Sequence, residues 1–194
     1  MTSLTSEVRK YQYAMHAGDI ASVLQVIPWL QKDHPGLVDI TMYFVPQPWH
    51  PQSGTLAEGA LAVQLADPSA TVKFIMEIFN NRDEFNDDAT FDLSRVGVYE
   101  RMAPHAEAVG VAKDDFMAGL KQNPPGQGGV PVTKQLKFYV KHHRAAGVHV
   151  TPSVLVNGIL DNSISSGWTL EQWKEHIAQL TGVEAAGASA AVQA

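Results

Sequence analysis

The run "GVHVTPSVLVNG" (147–158) decides the fold. Gly147 closes the helix-patterned stretch before it, because a glycine just past a helix end takes the left-handed conformation at little cost. "SVLVNGIL" (153–160) then reads as two short strands joined by Asn157-Gly158, the dipeptide favoured by a two-residue hairpin turn. Between helix and hairpin stands Thr151-Pro152, a proline at the start of a buried strand, where it cannot donate a ladder hydrogen bond. A cis linkage would turn the chain sharply and aim the preceding residue's backbone groups out of the sheet, where an extended ligand could pair with them. A trans proline at a strand's first residue is the plainer alternative.

Outward from this run the pattern is readable in both directions. Downstream, Thr169 and Gln172 form a capping box for a last helix that buries Leu170, Trp173, Ile177 and Leu180 and stops at Gly182. The Ala/Gly/Ser-rich remainder, 182–194, is expected to be a disordered tail. Upstream, "VRKYQYAM" (8–15) alternates as a strand. "GDIASVLQVIPWLQ" spaces Ile20, Val23, Leu24 and Ile27 as a helix, with Asp19 as its N-cap and a kink expected at Pro28. "LVDITMYFV" (37–45) is a second strand. From Ser53 to about Gly147 the pattern is helical. Thr55 and Glu58 read as a capping box for "LAEGALAVQLA", breaks are expected at Pro104 and Gly110, and "NPPGQGG" (123–129) reads as a flexible link. A further helix carries Val132, Leu136, Val140 and His143 on one stripe.

The order is strand–helix–strand, a block of helices, then strand–strand–helix. It predicts an α/β protein whose small sheet is completed across a long inserted helical domain, with 7–50 and 147–181 in the sheet lobe and 51–146 in the helical one. The 194 residues, 45% hydrophobic and 18% charged, suffice for such a core. A net charge of −6 argues against nucleic acid as a partner. No apolar run approaches a membrane span, so a cytoplasmic protein is expected. There is no cysteine, which removes thiolate nucleophiles, disulfides and cysteine metal sites.

The strand–kinked helix–strand, the helical block and the Val-Thr-Pro before a hairpin and final helix resemble the DsbA-like branch of the thioredoxin fold. "QPWHPQSGTLAEGALAV" (47–63) resembles the entry into that family's helical insertion, and "VHVTPSVLVNG" its cis-proline loop and following strand. The resemblance covers about residues 7–181. In that family a Cys-x-x-Cys lies between the first strand and first helix. The matching place here, "YAMHAGDIAS" (13–22), puts the motif at Met15 to Gly18 or at His16 to Asp19, with both thiols gone. Thiol–disulfide exchange needs an attacking thiolate, so that activity does not carry over. The scaffold is also similar to kappa-class glutathione transferases and hydroxychromene-carboxylate isomerases. Those carry a serine at the first cysteine position, and none stands between Met15 and Asp19.

The residues that could do chemistry instead are His16, Asp19 and His50 as acid–base groups. Met15, Trp49, His149, Thr151 and Pro152 would bind the substrate. His16 and Asp19 have the spacing of the lost cysteine pair, and a helix N-terminus favours a neutral imidazole. Each also has a plain reading, Asp19 as a cap and His16 as a loop residue. Trp49 could equally wedge two lobes apart, and His50 could bond a backbone carbonyl. His142 and His143 diverge by about 100° on a helix, too far to share a metal, and His34, His105 and His176 are expected on the surface. A metal held by His16, Asp19, His50 and His149 is conceivable, but no spacing demands one. The acidic "NNRDEFNDDATFD" (80–92) lacks a calcium loop's glycine, so Asp87, Asp88 and Asp92 are expected as turn and cap residues.

Together these readings predict a redox-inactive DsbA-like protein with a repurposed site. It would be a cofactor-free isomerase, lyase or cyclase acting on a small organic molecule by acid–base chemistry. The alternatives are a non-catalytic module binding a small molecule, glutathione or a peptide, and a transferase or isomerase using glutathione as its thiol. A homodimer is compatible with either class.

Overall fold

A computed structural model describes residues 9–15, 20–165 and 167–183. The chain runs β1 (Arg9–Met15), α1 (Ile20–Asp33), β2 (Val38–Phe44), α2 (Ser53–Ala66), α3 (Thr71–Asn80), α4 (Asp87–Thr90), α5 (Arg95–Ala108), α6 (Lys113–Ala118), α7 (Thr133–Ala145), β3 (Ser153–Val156), β4 (Ile159–Leu160) and α8 (Leu170–Thr181). The four strands form one sheet in the order β2-β1-β3-β4. The α/β architecture expected from the sequence is present, the described residues being mostly helical beside a small sheet. Among the described residues two compact units form: 9–13, 20–42 and 152–183 make one, and 14–15 with 43–151 the other. The divisions after residues 42 and 151 therefore lie inside the stretches that the sequence pattern assigns to the sheet lobe.

In the sheet-bearing unit, β3 pairs antiparallel with β4 through Leu155–Leu160 and Val156–Ile159. The turn between them holds Asn157 and Gly158 at φ +52° and +84°, the two left-handed positions of a type I′ turn and the reason for Asn-Gly there. Val26, Trp29 and Leu30 of α1, Val154 and Leu155 of β3, and Trp173 and Ile177 of α8 are buried as its core. Helix α1 runs through Pro28 as a single helix. The last helix starts as its sequence predicts: the Thr169 hydroxyl accepts from the Gln172 N–H, and the Gln172 side chain accepts from the Thr169 N–H. It ends at Gly182 in the left-handed region.

Two histidines expected on the surface are not there. His176 is largely buried, its Nε2 3.0 Å from Asp161 Oδ2, beside Trp168. His34 sets its ring edge-on to Trp29, and its Nε2 is buried. An aromatic ring this close to an apolar helix face gains more from burial than from solvation. Burial pushes the Asp161 carboxyl up, but the hydroxyl and N–H of Ser163 and the nearby His176 outweigh it and hold the group below its ordinary value.

In the helical unit every residue from Ala57 to Val63 of α2 is buried. Small side chains at Ala57, Gly59, Ala60 and Ala62 let α3, α5, α6 and α7 close around the helix. This burial overturns the expected capping box. Helix α2 begins at Ser53, Gln52 is its N-cap with no side-chain capping bond, and Glu58 lies one turn further in, 4% exposed. A carboxylate buried there requires internal donors. Tyr99 Oη donates to Glu58 Oε2 at 2.6 Å, and the Arg95 guanidinium binds both carboxylate oxygens. Burial, and then the bond to Glu58, pushes the Tyr99 hydroxyl well above its ordinary value.

Pro104 does not break α5, which runs on to Ala108 and turns at Gly110, where φ is +93°. The link at 123–129 is tied closed: the Asn123 N–H donates to the Gly129 carbonyl and Asn123 Nδ2 to that of Gly128. Asp19 as a cap, Val8 as the first strand residue and the tail beyond residue 183 lie outside the described residues. So do His16 and residue 166.

Two glycine substitutions should move stability in opposite directions. A Cβ on Gly119 would sit 2.9 Å from the Ala62 Cβ and 3.2 Å from its Cα, atoms fixed by the backbone. Gly119→Ala should therefore cost about 1–3 kcal/mol in urea unfolding. Gly54, in the first turn of α2, meets nothing within 4 Å, so Gly54→Ala should gain about 0.5–1 kcal/mol. A depressed carboxyl stabilises the fold above its unfolded value and loses that contribution as pH falls through its folded one. Asp161→Asn should thus destabilise at pH 7, and urea midpoints of the two proteins should converge as pH falls below the ordinary carboxylate range.

Candidate functional site

The loop that leaves β2, "VPQPWHPQS" (45–53), is stiff for identifiable reasons. Pro46, Pro48 and Pro51 fix their own φ angles. Overlapping turns bind the His50 N–H to the Gln47 carbonyl at 3.1 Å and the Ser53 N–H to the His50 carbonyl at 2.9 Å. Ser53 Oγ accepts from the Gln47 N–H at 3.0 Å. His50 is thereby held just before α2. Trp49 beside it is 64% exposed.

The His50 ring is aimed at a residue that the sequence reading assigned to a turn. His50 Nδ1 lies 3.0 and 2.9 Å from the two carboxylate oxygens of Asp87. Asp87 is not the cap of α4; Asn86 is, accepting from the Ala89 N–H. Position N1 sends the Asp87 carboxylate back toward α2 instead. There Gln52 Nε2 donates to Asp87 Oδ1 at 2.8 Å and to the Phe85 carbonyl at 3.0 Å. An ionised carboxylate only accepts, so the pair puts the ring proton of neutral His50 on Nδ1 and makes Nε2 the basic nitrogen. This histidine–carboxylate–amide chain is the arrangement that a general base requires: a fixed tautomer and a counter-charge for the imidazolium.

Helix α5 fixes the segment that carries Asp87. Arg101 Nη1 donates to the carbonyls of Glu84 at 2.8 Å and Ala89 at 2.7 Å, one on each side of Asp87. One turn on, His105 bridges two carboxylates, Nδ1 3.1 Å from Glu77 Oε1 and Nε2 3.4 Å from Glu84 Oε2. Its ring meets Phe85 edge-on. His105 is thus mostly buried, not on the surface as expected, because Phe85 and two acidic partners make a place for it.

The other predicted site residues divide. His149 is exposed, and Thr151 and Pro152 are half-buried directly before β3. Thr151 belongs to the same unit as His50, and Pro152 begins the return to the sheet. Met15 is the last residue of β1. His16 and Asp19 lie outside the described residues. Among the described residues no three His, Asp or Glu side chains are grouped to hold a metal. Asp87 is the functional candidate missed in sequence. Its separation from His50 hides the pair, and the one available signal was an acid directly after Asn86, itself a good N-cap.

No family model matches the chain, and no curated protein matches it. Solved structures do. One provisionally named a protein-disulfide isomerase, from Pseudomonas syringae, superposes with a TM-score of 0.71 at 20% identity, over 87% of this chain and 93% of its own. DsbA of Pseudomonas aeruginosa gives 0.57 at 15%, over 94% and 86%. MdbA, a thiol-disulfide oxidoreductase from Actinomyces oris, gives 0.61 at 15%, over 91% and 83%.

The chain has the DsbA-like thioredoxin fold. Within its 194 residues this version of the fold holds no cysteine, so any chemistry it performs comes from other side chains.

The role of Arg101 is measurable without a substrate. Arg101→Met leaves two carbonyls without their donor and should cost about 1–2 kcal/mol of stability. It should also weaken the downfield Nδ1–H resonance of His50 in proton NMR, as Asp87 loses its fixed position. An unchanged resonance in a folded Arg101→Met protein would separate the clamp from the dyad.

Proposed function

We propose that this chain is a cofactor-free enzyme on a DsbA-like scaffold, an isomerase, lyase or cyclase that moves protons with His50. The observation that carries the reading is the bidentate approach of Asp87 to His50 Nδ1, with Gln52 binding the same carboxylate. Nε2 takes a proton from an acidic C–H of a small organic substrate, the imidazolium is stabilised by Asp87, and the same nitrogen returns the proton to another atom of the substrate. Asp87 stays ionised throughout and sets the ring's orientation, as the carboxylate does in catalytic triads. Trp49, exposed on the same loop, supplies an apolar face for an unsaturated or aromatic substrate.

Proton abstraction leaves a signature that does not require the natural product to be known. Small carbon acids incubated with the protein in deuterium oxide should exchange their acidic hydrogens, followed by loss of proton NMR signal. His50→Ala should slow that exchange by about 100-fold or more, and Asp87→Asn by about 10-fold or more, for compounds that the wild type processes. A compound bound equally well by wild type and His50→Ala, with no exchange in either, would favour the non-catalytic binding module instead. Retention on immobilised glutathione, lost on adding free glutathione, would favour the glutathione-dependent reading.

A further inference from the structure

Helix α7 is chemically unlike the rest of the chain. The chain carries a net −6, yet α7 holds four of its fourteen Lys and Arg residues, Lys134, Lys137, Lys141 and Arg144, and no Asp or Glu. All four are exposed. Their spacings of three, four and seven residues put them on one face of the helix, and none is ion-paired among the described residues. Phe138 stands on that face, 54% exposed. It is backed by a stack of rings: His142 lies nearly parallel to Phe138, with centroids 6.1 Å apart, and nearly parallel to Tyr43, 4.2 Å apart. A flexible cationic face needs no such backing; a rigid aromatic at its centre suits a binding surface. The opposite side of the helix turns Tyr139 into the unit.

The same unit presents the complementary chemistry. Between Arg82 and Asp92, Asp83, Asp88 and Asp92 are exposed, and Phe91 is 86% exposed. This acidic stretch also carries an exposed aromatic, next to Asp92. One chain therefore carries a cationic stretch with an exposed phenylalanine and an anionic stretch with another, the Asp83 carboxylate of the second lying 4.0 Å from the exposed Arg82 guanidinium.

We propose that the basic face of α7 docks on the Asp83–Asp92 face of a second copy of this chain, the two contacts of a two-fold homodimer being equivalent. Each copy gives its basic face to its partner's acidic face, and it is the two-fold axis relating these two contacts that closes the assembly at two. A single-stranded polyanion would satisfy the same cations, but it has to approach a chain of net −6, whereas a second copy supplies a matched, local counter-charge.

Sedimentation equilibrium on the full chain tests this with a charge swap. Wild type should be dimeric in about 50 mM salt, with association at least about tenfold weaker in about 500 mM. Lys137→Glu/Lys141→Glu and Asp88→Lys/Asp92→Lys should each be monomeric at low salt, with unchanged circular dichroism. Mixing the two variants should restore a dimer, because each altered face then meets its opposite. A wild type that stays monomeric at low salt, or a dimer indifferent to both double substitutions, overturns the proposal. So does a monomer that binds a single-stranded oligonucleotide through Lys137 and Lys141. The result is independent of His50, since none of the four substituted residues belongs to the dyad.

Discussion

Helix α2 is buried on every side along Ala57–Val63, and the rest of the helical unit follows from that constraint. A helix so enclosed cannot send a polar side chain to water. Its one carboxylate, Glu58, is therefore satisfied from α5 by Arg95 and Tyr99, which sets the rotation of α5 against α2. With α5 so placed, Arg101 and His105, nearly two and nearly three turns beyond Arg95, meet the Arg82–Thr90 segment and hold it. That segment brings Asp87 to the mouth of α2, where His50 and Gln52 meet it. The dyad is thus the far end of a relay of contacts that begins with the close packing of small residues around one helix. Removing Glu58 from its partners would leave a buried charge uncompensated, which is far more damaging than losing a surface pair.

The sheet half of the molecule was legible in sequence because its signals are local. Asn157-Gly158 fixes a turn by its own backbone preferences, Thr169 and Gln172 cap a helix within four residues, and Gly182 ends it. The helical half was legible as helices but not as partners. Glu58 carries the same letter whether it caps a helix or lies inside one, and only the all-round apolar pattern of its neighbours hinted at the second. Pro104 reads as a break, yet a long helix with other anchors absorbs it. His105 and His176 looked like surface residues since sequence does not show which carboxylates fold back onto them. Asp87 was hidden in the same way, in an acidic run that also makes a sensible turn. Of the proposed site, His50 and Trp49 could be picked from the proline-stiffened loop, while Asp87, whose carboxylate meets His50, needed the fold.

The structural neighbours are named for thiol–disulfide chemistry, and this chain shares their fold without a thiol. A scaffold survives such a loss when its stability does not depend on the lost groups. Here the core of each unit is apolar and the polar anchors are ion pairs and caps.

The hairpin that ends the sheet has a further consequence. Strand β4 offers a newcomer only two residues, Ile159 and Leu160, before the chain departs at Asp161, whose N–H already donates to the Val154 carbonyl. A rim that short gives an incoming strand too few rungs to hold its register, although its side chains are apolar and open to water. The sheet thus resists fibrous stacking at this margin by brevity rather than by charge, leaving those side chains tolerable in a concentrated solution.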